Sequence, residues 1–365
     1  MEKMSEILKD IQEWRNVYNK IFPKGESLLF LMYNLQPTGI TKSLFSLLRN
    51  LINEGYEVKL LVCVRGEKDL PSPIVPIYLY NSENEMWKMI GSNTIVIPFE
   101  QVYDRVVAYD GILSTWLATY LKYVNKKIAW LHAPYKISHV GFEAGYVREV
   151  YRHMDHLVAV SYDVKQTYLD ALQIEEAHIK VIYTKLDSQI IREQSRKELF
   201  IKEGLVAVSV GRLVTEKGFE RLMSVHKKLV DEGIQHELWI VGDGELKQEL
   251  KNRIHDLGIS QTCKLLGYHD NPYPIMNRAD VIVSASFSEG LPLAMMEAMI
   301  LHKPIVATNI LGNREVLKAN MGMLVEDNEE GLYEGMKLML RQESLRKAYE
   351  MKLESSVPFL FEVGR

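Results

Sequence analysis

Two carboxylates, Glu289 and Glu297, lie eight residues apart in the segment Ser286-Phe287-Ser288-Glu289-Gly290-Leu291-Pro292-Leu293-Ala294-Met295-Met296-Glu297. The apolar run Val281–Ser286 in front of it reads as a buried strand, and Pro292 suits the first turn of a helix running to Leu301. The backbone from Gly290 through Leu291 and Pro292 to Leu293 would then offer free N–H groups at a helix N-terminus, which attract an anion. At 1.5 Å rise per residue the two carboxylates stand at most about 12 Å apart, one on each side of that anion. A nucleotide sugar has this layout: a diphosphate flanked by a ribose and a hexose, whose hydroxyls donate to carboxylates.

A second cluster is cationic. Val210-Gly211-Arg212-Leu213-Val214-Thr215-Glu216-Lys217-Gly218 follows the apolar run Leu205–Val210 and precedes a helical pattern. Arg212 and Lys217 would lie at a strand's carboxyl end, where a planar fork and a compact charge both suit phosphate. A leaving diphosphate gains charge as its bond to the sugar breaks, so fixed cations there lower the barrier. The turn Val241-Gly242-Asp243-Gly244-Glu245 reads as architecture, its glycines permitting tight backbone geometry. In the N-terminal half, Trp130-Leu131-His132-Ala133-Pro134 puts His132 at another strand's carboxyl end, and Asn34-Leu35-Gln36-Pro37-Thr38-Gly39 is a turn containing Gly39.

The elements that must position these groups alternate along the chain. Strands are expected at Leu28–Met32, Glu57–Val64, Thr94–Pro98, Lys127–Leu131 and Leu157–Ser161. The helices between and after them are expected at Lys42–Glu54, Leu113–Val124 and Val164–Leu172. A polar stretch from Lys185 to Glu203 reads as a partly helical domain connection. The alternation then restarts with strands Leu205–Val210, Glu237–Val241, Lys264–Leu266, Val281–Ser286 and Ile305–Thr308, and helices Phe219–Asp231, Glu245–Leu257, Pro292–Leu301 and Tyr333–Leu340. Wholly apolar strands alternating with helices imply parallel sheets covered on both faces. The expected fold class is α/β, with two Rossmann-like doubly wound domains facing a central cleft. The expected boundaries are an amphipathic helix over 1–25, an acceptor-side domain over 26–187, a donor-side domain over 188–345 and a C-terminal segment over 346–365.

Bulk properties narrow the function. A length of 365 residues suits two cores, and 47% hydrophobic with 25% charged residues is a globular composition. A net charge of −4 is not the balance of a general nucleic-acid binder. Cys63 and Cys263 are too few and too far apart for a disulfide framework or a zinc site, so a reducing compartment is expected. With no signal-peptide pattern and no apolar run near the ~20 residues of a membrane span, cytoplasmic residence is expected. A helix with apolar residues from Met4 to Phe22 opens the chain, its polar face balanced in charge. It is expected to pack on its own domain or on a second copy as a homodimer, with peripheral contact at the inner face of a membrane as the alternative.

These segments resemble retaining GT-B glycosyltransferases, above all family 4, over most of the chain and most densely from Val206 to Leu317. The resemblance implies that Glu297 holds the ribose, that Glu289 contacts the transferred sugar, and that Arg212 and Lys217 grip the pyrophosphate, a UDP-sugar being favoured. It implies that His132 lies beside the transferred sugar and that the loop of Gly39 approaches the donor. Relatives carry a double glycine there, so this chain departs from the pattern. Val160-Ser161 and Gly312-Asn313-Arg314-Glu315 are further matches. No metal and no cofactor is expected, since no two aspartates are separated by one residue and the two cations could replace a metal at the diphosphate. Front-face transfer to a hydroxyl of a glycan, lipid-linked or other acceptor is then expected, with polysaccharide biosynthesis as the setting. The rival readings are a non-catalytic partner subunit of the same fold and a nucleotide-sugar 2-epimerase, which would need a denser set of acid/base groups.

Overall fold

The computed structural model describes residues 15–36, 38–66, 69–70, 72–82, 84–85, 102–138, 141–197 and 202–361, without the side chains of 357–361. The chain divides into two compact units, Met1–Lys185 and Leu186–Arg365.

The first unit holds, among the described residues, strands β1 (Ser27–Met32), β2 (Glu57–Val64), β3 (Ile77–Tyr80), β4 (Tyr103–Ala108), β5 (Val124–Leu131), β6 (His156–Ala159) and β7 (Ile179–Val181). They form one sheet in the order β3-β2-β1-β4-β5-β6-β7, every neighbouring pair parallel. The second unit holds β8 (Val206–Val210), β9 (Glu237–Val241), β10 (Cys263–Gly267), β11 (Val281–Ser284), β12 (Ile305–Thr308) and β13 (Met323–Val325). Their order is β10-β9-β8-β11-β12-β13, again parallel throughout. Strand order reverses between β1 and β4 in one sheet and between β8 and β11 in the other. The second sheet is buried on both faces. One face packs on helices Phe219–Asp231 and Glu329–Arg341, the other on Leu293–Ile300 and Glu343–Phe361. Both units are thus doubly wound α/β structures, as the apolar strands imply.

Several elements differ from the expected ones for physical reasons. The helix expected over Leu113–Val124 spans Ile112–Tyr120, because Leu121 turns to extended backbone and Val124 opens β5. β11 stops at Ser284 rather than Ser286, its next two carbonyls being taken by a side chain. β4 has no counterpart in the expected strands because Asp104 and Arg105 interrupt its apolar pattern. Asp104 accepts from the Ser27 backbone N–H and hydroxyl, and Arg105 pairs with Glu26, so the strand buries its charges with partners. The run Thr94–Pro98 lies outside the described residues. Within the polar stretch, Asp187 caps the helix Ser188–Gln194, whose Ile191 joins the second unit's core. Helix Glu343–Phe361 runs straight through the boundary expected at 345/346, and Leu353 lies fully buried in that same core.

Of the N-terminal helix, residues 1–14 lie outside the described set; residues 15–21 are helical. Tyr18, Ile21 and Phe22 are buried in the first unit, with Phe22 stacked on Trp130 at 6.0 Å between centroids and its carbonyl accepting from the Tyr56 hydroxyl. Both cysteines are buried, and burial pushes the Cys63 thiol up and the Cys263 thiol up to about 12. No described helix is long and apolar enough to cross a membrane.

The second unit's core also carries a hydrogen-bonded histidine pair. His226 Nδ1 lies 2.9 Å from His236 Nε2, His226 Nε2 lies 2.9 Å from the Thr262 hydroxyl, and His236 Nδ1 lies 2.9 Å from the Ile234 carbonyl. Burial, and for His226 the neighbouring ring, holds both imidazoles below their usual range, His226 at about 3. The unfolded chain, with histidines near about 6.5, therefore binds more protons at mildly acid pH. This contribution to stability is complete above about pH 6.5 and is lost as the pH falls toward the folded value. Thermal melts at pH 7.5 and 5.0 should show the wild-type second unit losing more stability on acidification than a His236→Gln variant. Equal losses in the two proteins would show that the pair does not couple folding to protons.

Candidate functional site

In an open parallel sheet, ligands bind beyond the carboxyl ends of the strands where the order reverses. In the second unit that point lies between β8 and β11. The chain leaves β8 as Gly211–Gly218 and β11 as Ala285–Pro292, the two segments that carry the charged candidates. They meet directly. Lys217 Nζ donates to both oxygens of Glu289, at 2.6 and 2.7 Å, and the Ser286 hydroxyl donates to Glu289 Oε1 at 2.6 Å. The Phe287 N–H donates to the Glu216 carbonyl at 2.8 Å, tying the two loops together along the backbone.

The approach depends on glycine. Gly218 ends the turn Thr215–Lys217 at φ +63°, and a Cβ there would stand 2.1 Å from the Ala285 carbonyl oxygen. The turn after β9 braces the same loop: a Cβ on Gly242 (φ +153°) would stand 1.8 Å from the Gly211 carbonyl oxygen, and the Asp243 carbonyl accepts from Leu213 N–H. Beneath the Glu289 loop, Thr308 donates its hydroxyl to the Ser286 carbonyl at 2.7 Å, and Asn313 donates to the Thr308 carbonyl at 2.8 Å.

Helix Leu293–Ile300 starts one residue later than the sequence suggests, with Pro292 at its N-cap and Gly290 and Leu291 in the approach to it. Glu297 lies inside that helix, buried at 8% exposure, where its carboxylate accepts from the Tyr273 hydroxyl at 3.0 Å. Burial, reinforced by the facing carboxylate, pushes that hydroxyl far above its usual range, so Tyr273 stays a donor. Arg212 is exposed just past β8, and its guanidinium makes no ion pair among the described residues. The loops thus bring Lys217 and Glu289 into contact, with Arg212 on the first loop and Glu297 in the helix that follows the second.

The remaining candidates belong to the first unit. Gly39 is not in a turn. It is the first residue of helix Gly39–Asn53, which Thr38 caps by accepting from the Thr41 N–H. His132 follows β5 directly, its ring 4.6 Å from that of Tyr109. Burial lowers its pKa to about 3, against the opposing effect of a hydrogen bond to the Tyr109 backbone, and its covered Nε2 has no partner. The ring is therefore neutral, with one nitrogen able to accept a proton-bearing group.

Four residues of these arrangements carry no clear sign of their roles in the sequence. Ser286 stands within the Glu289 motif but has no role assigned from spacing. Tyr273 is 24 positions from Glu297, with no local signal to link them. Arg221 belongs to none of the motifs, although it falls among apolar Phe219, Leu222 and Met223. Asp110 follows β4, the unexpected strand; its carboxylate accepts from the Tyr33 N–H, and burial raises its pKa to about 6.

Comparison with known proteins places the chain. Residues 37–189 match the Glycosyltransferase Family 4 model and residues 191–353 the model of glycosyl transferases group 1. The chain belongs to the GT-B glycosyltransferases. Anabaena HepE, solved in complex with UDP and glucose, superposes with a TM-score of 0.73 at 16% identity, covering 92% of this chain and 95% of that one. A Campylobacter jejuni N-acetylgalactosamine-N,N'-diacetylbacillosaminyl-diphospho-undecaprenol 4-alpha-N-acetylgalactosaminyltransferase is 31% identical over 179 residues, 48% of this chain and 48% of the relative. An uncharacterised Haemophilus influenzae glycosyltransferase is 24% identical over 332 residues, 87% of this chain and 91% of its own. The alignments to the first curated relatives thus span about half the length of each.

In this GT-B chain the contact between the loops tolerates no side chain at position 218. Gly218→Ala should destabilise the second unit by about 2 kcal/mol or more, since it adds left-handed strain to a carbonyl clash. Thermal melting reads the effect, and an unchanged transition would show that the loops do not depend on this approach.

Proposed function

We propose that this GT-B protein moves a sugar from a nucleotide-sugar donor, a UDP-sugar being favoured, to a hydroxyl of a glycan or lipid-linked acceptor, with retention at the anomeric carbon. The observation that carries the reading is the Lys217–Glu289 contact at the β8/β11 reversal, with Arg212 on the first loop and Glu297 in the helix after the second. Arg212 and Lys217 would hold the diphosphate and stabilise its charge as the bond to the anomeric carbon breaks. The diphosphate would meet Lys217 in competition with Glu289, freeing that carboxylate for the hydroxyls of the transferred sugar. Glu297, oriented by Tyr273, would accept from the ribose hydroxyls.

In this reading the acceptor oxygen bonds to the anomeric carbon on the face from which the diphosphate departs. The acceptor's proton passes to an oxygen of the leaving phosphate, so no protein base is required. For His132 in the first unit, kept neutral by burial, the role in this reading is polar orientation rather than attack. The names of relatives such as the Campylobacter enzyme, which specify diphospho-undecaprenol acceptors, support a lipid-linked substrate and with it peripheral attachment at the cytoplasmic face of a membrane.

Release of nucleoside diphosphate from a panel of nucleotide sugars, with and without lipid-linked acceptors, tests the reading. Lys217→Ala or Arg212→Ala should raise the barrier by about 2–4 kcal/mol, a loss of roughly 30- to 1000-fold; the melting temperature should hold in Arg212→Ala and fall in Lys217→Ala, which leaves the part-buried Glu289 without its ion-pair partner. Wild-type turnover by both variants below donor saturation would remove the diphosphate assignment. Activity should also survive EDTA, since the two cations supply the charge a metal would bring. Complete loss on chelation, restored by Mg²⁺ or Mn²⁺, would contradict this.

A further inference from the structure

Arg221 is a buried cation that this reaction scheme leaves without a part. It sits in the first turn of helix Phe219–Asp231, four residues after Lys217, with its side chain only 7% exposed. Its guanidinium spends its donors on backbone and one carboxylate: Nε to the Ala285 carbonyl at 2.8 Å, Nη2 to the Ser286 carbonyl at 2.9 Å and Nη1 to Asp327 at 2.8 Å. The half-exposed ring of Phe287 covers it, 3.7 Å from the guanidinium carbon. Ala285 and Ser286 are the two residues at which β11 stops pairing with its neighbours, so their carbonyls would otherwise be left without backbone partners. A bidentate, desolvated contact of this kind fixes direction as well as distance.

Glu289 lies three positions beyond Ser286 on the same loop. The Ser286 hydroxyl donates to Glu289 at 2.6 Å, while Lys217, from the other side of Gly218, reaches the same carboxylate. One short segment therefore holds Glu289 twice, by its charge through Lys217 and by its backbone through Arg221.

We propose that Arg221 is a positioning residue for Glu289: by clamping the two carbonyls past the end of β11 it sets where the Glu289 carboxylate meets the transferred sugar. The proposal rests on the glycosyl-transfer reading for the identity of that sugar. It requires the fork of an arginine, whose Nε and Nη2 donate side by side to the two carbonyls, because a lysine ammonium is a point charge without that fixed geometry. The Asp327 contact is separate from this task, since Nη1 makes it while Nε and Nη2 hold the carbonyls.

The test compares wild type, Arg221→Lys, Glu289→Gln, the double variant and Asp327→Asn. Calorimetry reads the affinity of UDP, GDP and ADP against their glucose conjugates, and diphosphate release reads kcat. For the nucleotide that binds, Arg221→Lys should keep diphosphate affinity within about threefold of wild type, lose the extra affinity contributed by the sugar, and lower kcat at least about tenfold. The double variant should be no worse than Glu289→Gln alone, because both changes remove one function. Asp327→Asn should stay within about twofold of wild type. Wild-type kcat and wild-type sugar affinity in Arg221→Lys would overturn the proposal. So would losses that multiply in the double variant, or losses in which Asp327→Asn and the melting temperature follow equally. A wild-type protein that binds a nucleotide sugar but transfers nothing counts against the transfer reading alone, and the affinity comparison still decides the role of Arg221. Absence of binding by every nucleotide pair overturns both.

Discussion

Opposite charges are held in contact at the ends of two parallel strands, and the second unit is arranged around that contact. Lys217 and Glu289 are part-buried, at 27% and 11% side-chain exposure, so each has given up hydration that the ion pair and the Ser286 hydroxyl must offset. The pair forms only because the loops after β8 and β11 approach at backbone distance. That approach needs Gly218 without a side chain, carbonyls past β11 that Arg221 can satisfy, and a turn after β9 whose Gly242 lets the Gly211 backbone pass. A carboxylate and an ammonium kept this way can be separated again by a ligand that brings its own anion and its own hydroxyls.

The doubly wound framework explains why such a contact arises at this place. Helices cover both faces of the sheet, so the free edge of the structure is the row of strand ends, and the order reversal between β8 and β11 opens a gap in that row. The first unit has the same reversal between β1 and β4, where Asp110 accepts from the Tyr33 N–H, and His132 follows the next strand in the order. The two reversals differ in electrostatics. The second unit presents cations and a paired carboxylate, whereas the first presents a neutral imidazole and a carboxyl that burial keeps easier to protonate than usual.

How much of this was legible in the sequence depended on whether the signal was local. Strands with a clear apolar run, such as Glu57–Val64, Glu237–Val241 and Ile305–Thr308, could be read to the residue, because their buried stretches are unbroken: Leu60–Val64, Leu238–Val241 and all of Ile305–Thr308. β4 could not, since Arg105 and Asp104 are neutralised by Glu26 and Ser27 nearly 80 positions away. In the site, Arg212, Lys217, Glu289 and Glu297 stood out because each belongs to a compact motif beside a strand. Their partners did not: the Tyr273–Glu297 bond and the Arg221 clamp join segments 24 and more than 60 positions apart, and spacing along the chain carries no trace of them.

The most direct measurement of the central claim, that the β8/β11 loops form a nucleoside-diphosphate site, is calorimetric titration of the whole chain with UDP, GDP and ADP, repeated on Glu297→Gln. The account predicts saturable binding of at least one of the three, weakened about tenfold or more by Glu297→Gln at an unchanged melting temperature, because a hydrogen bond to a charged acceptor contributes about 1.5–3 kcal/mol. Absence of binding by all three, or equal affinity in the variant, would contradict it.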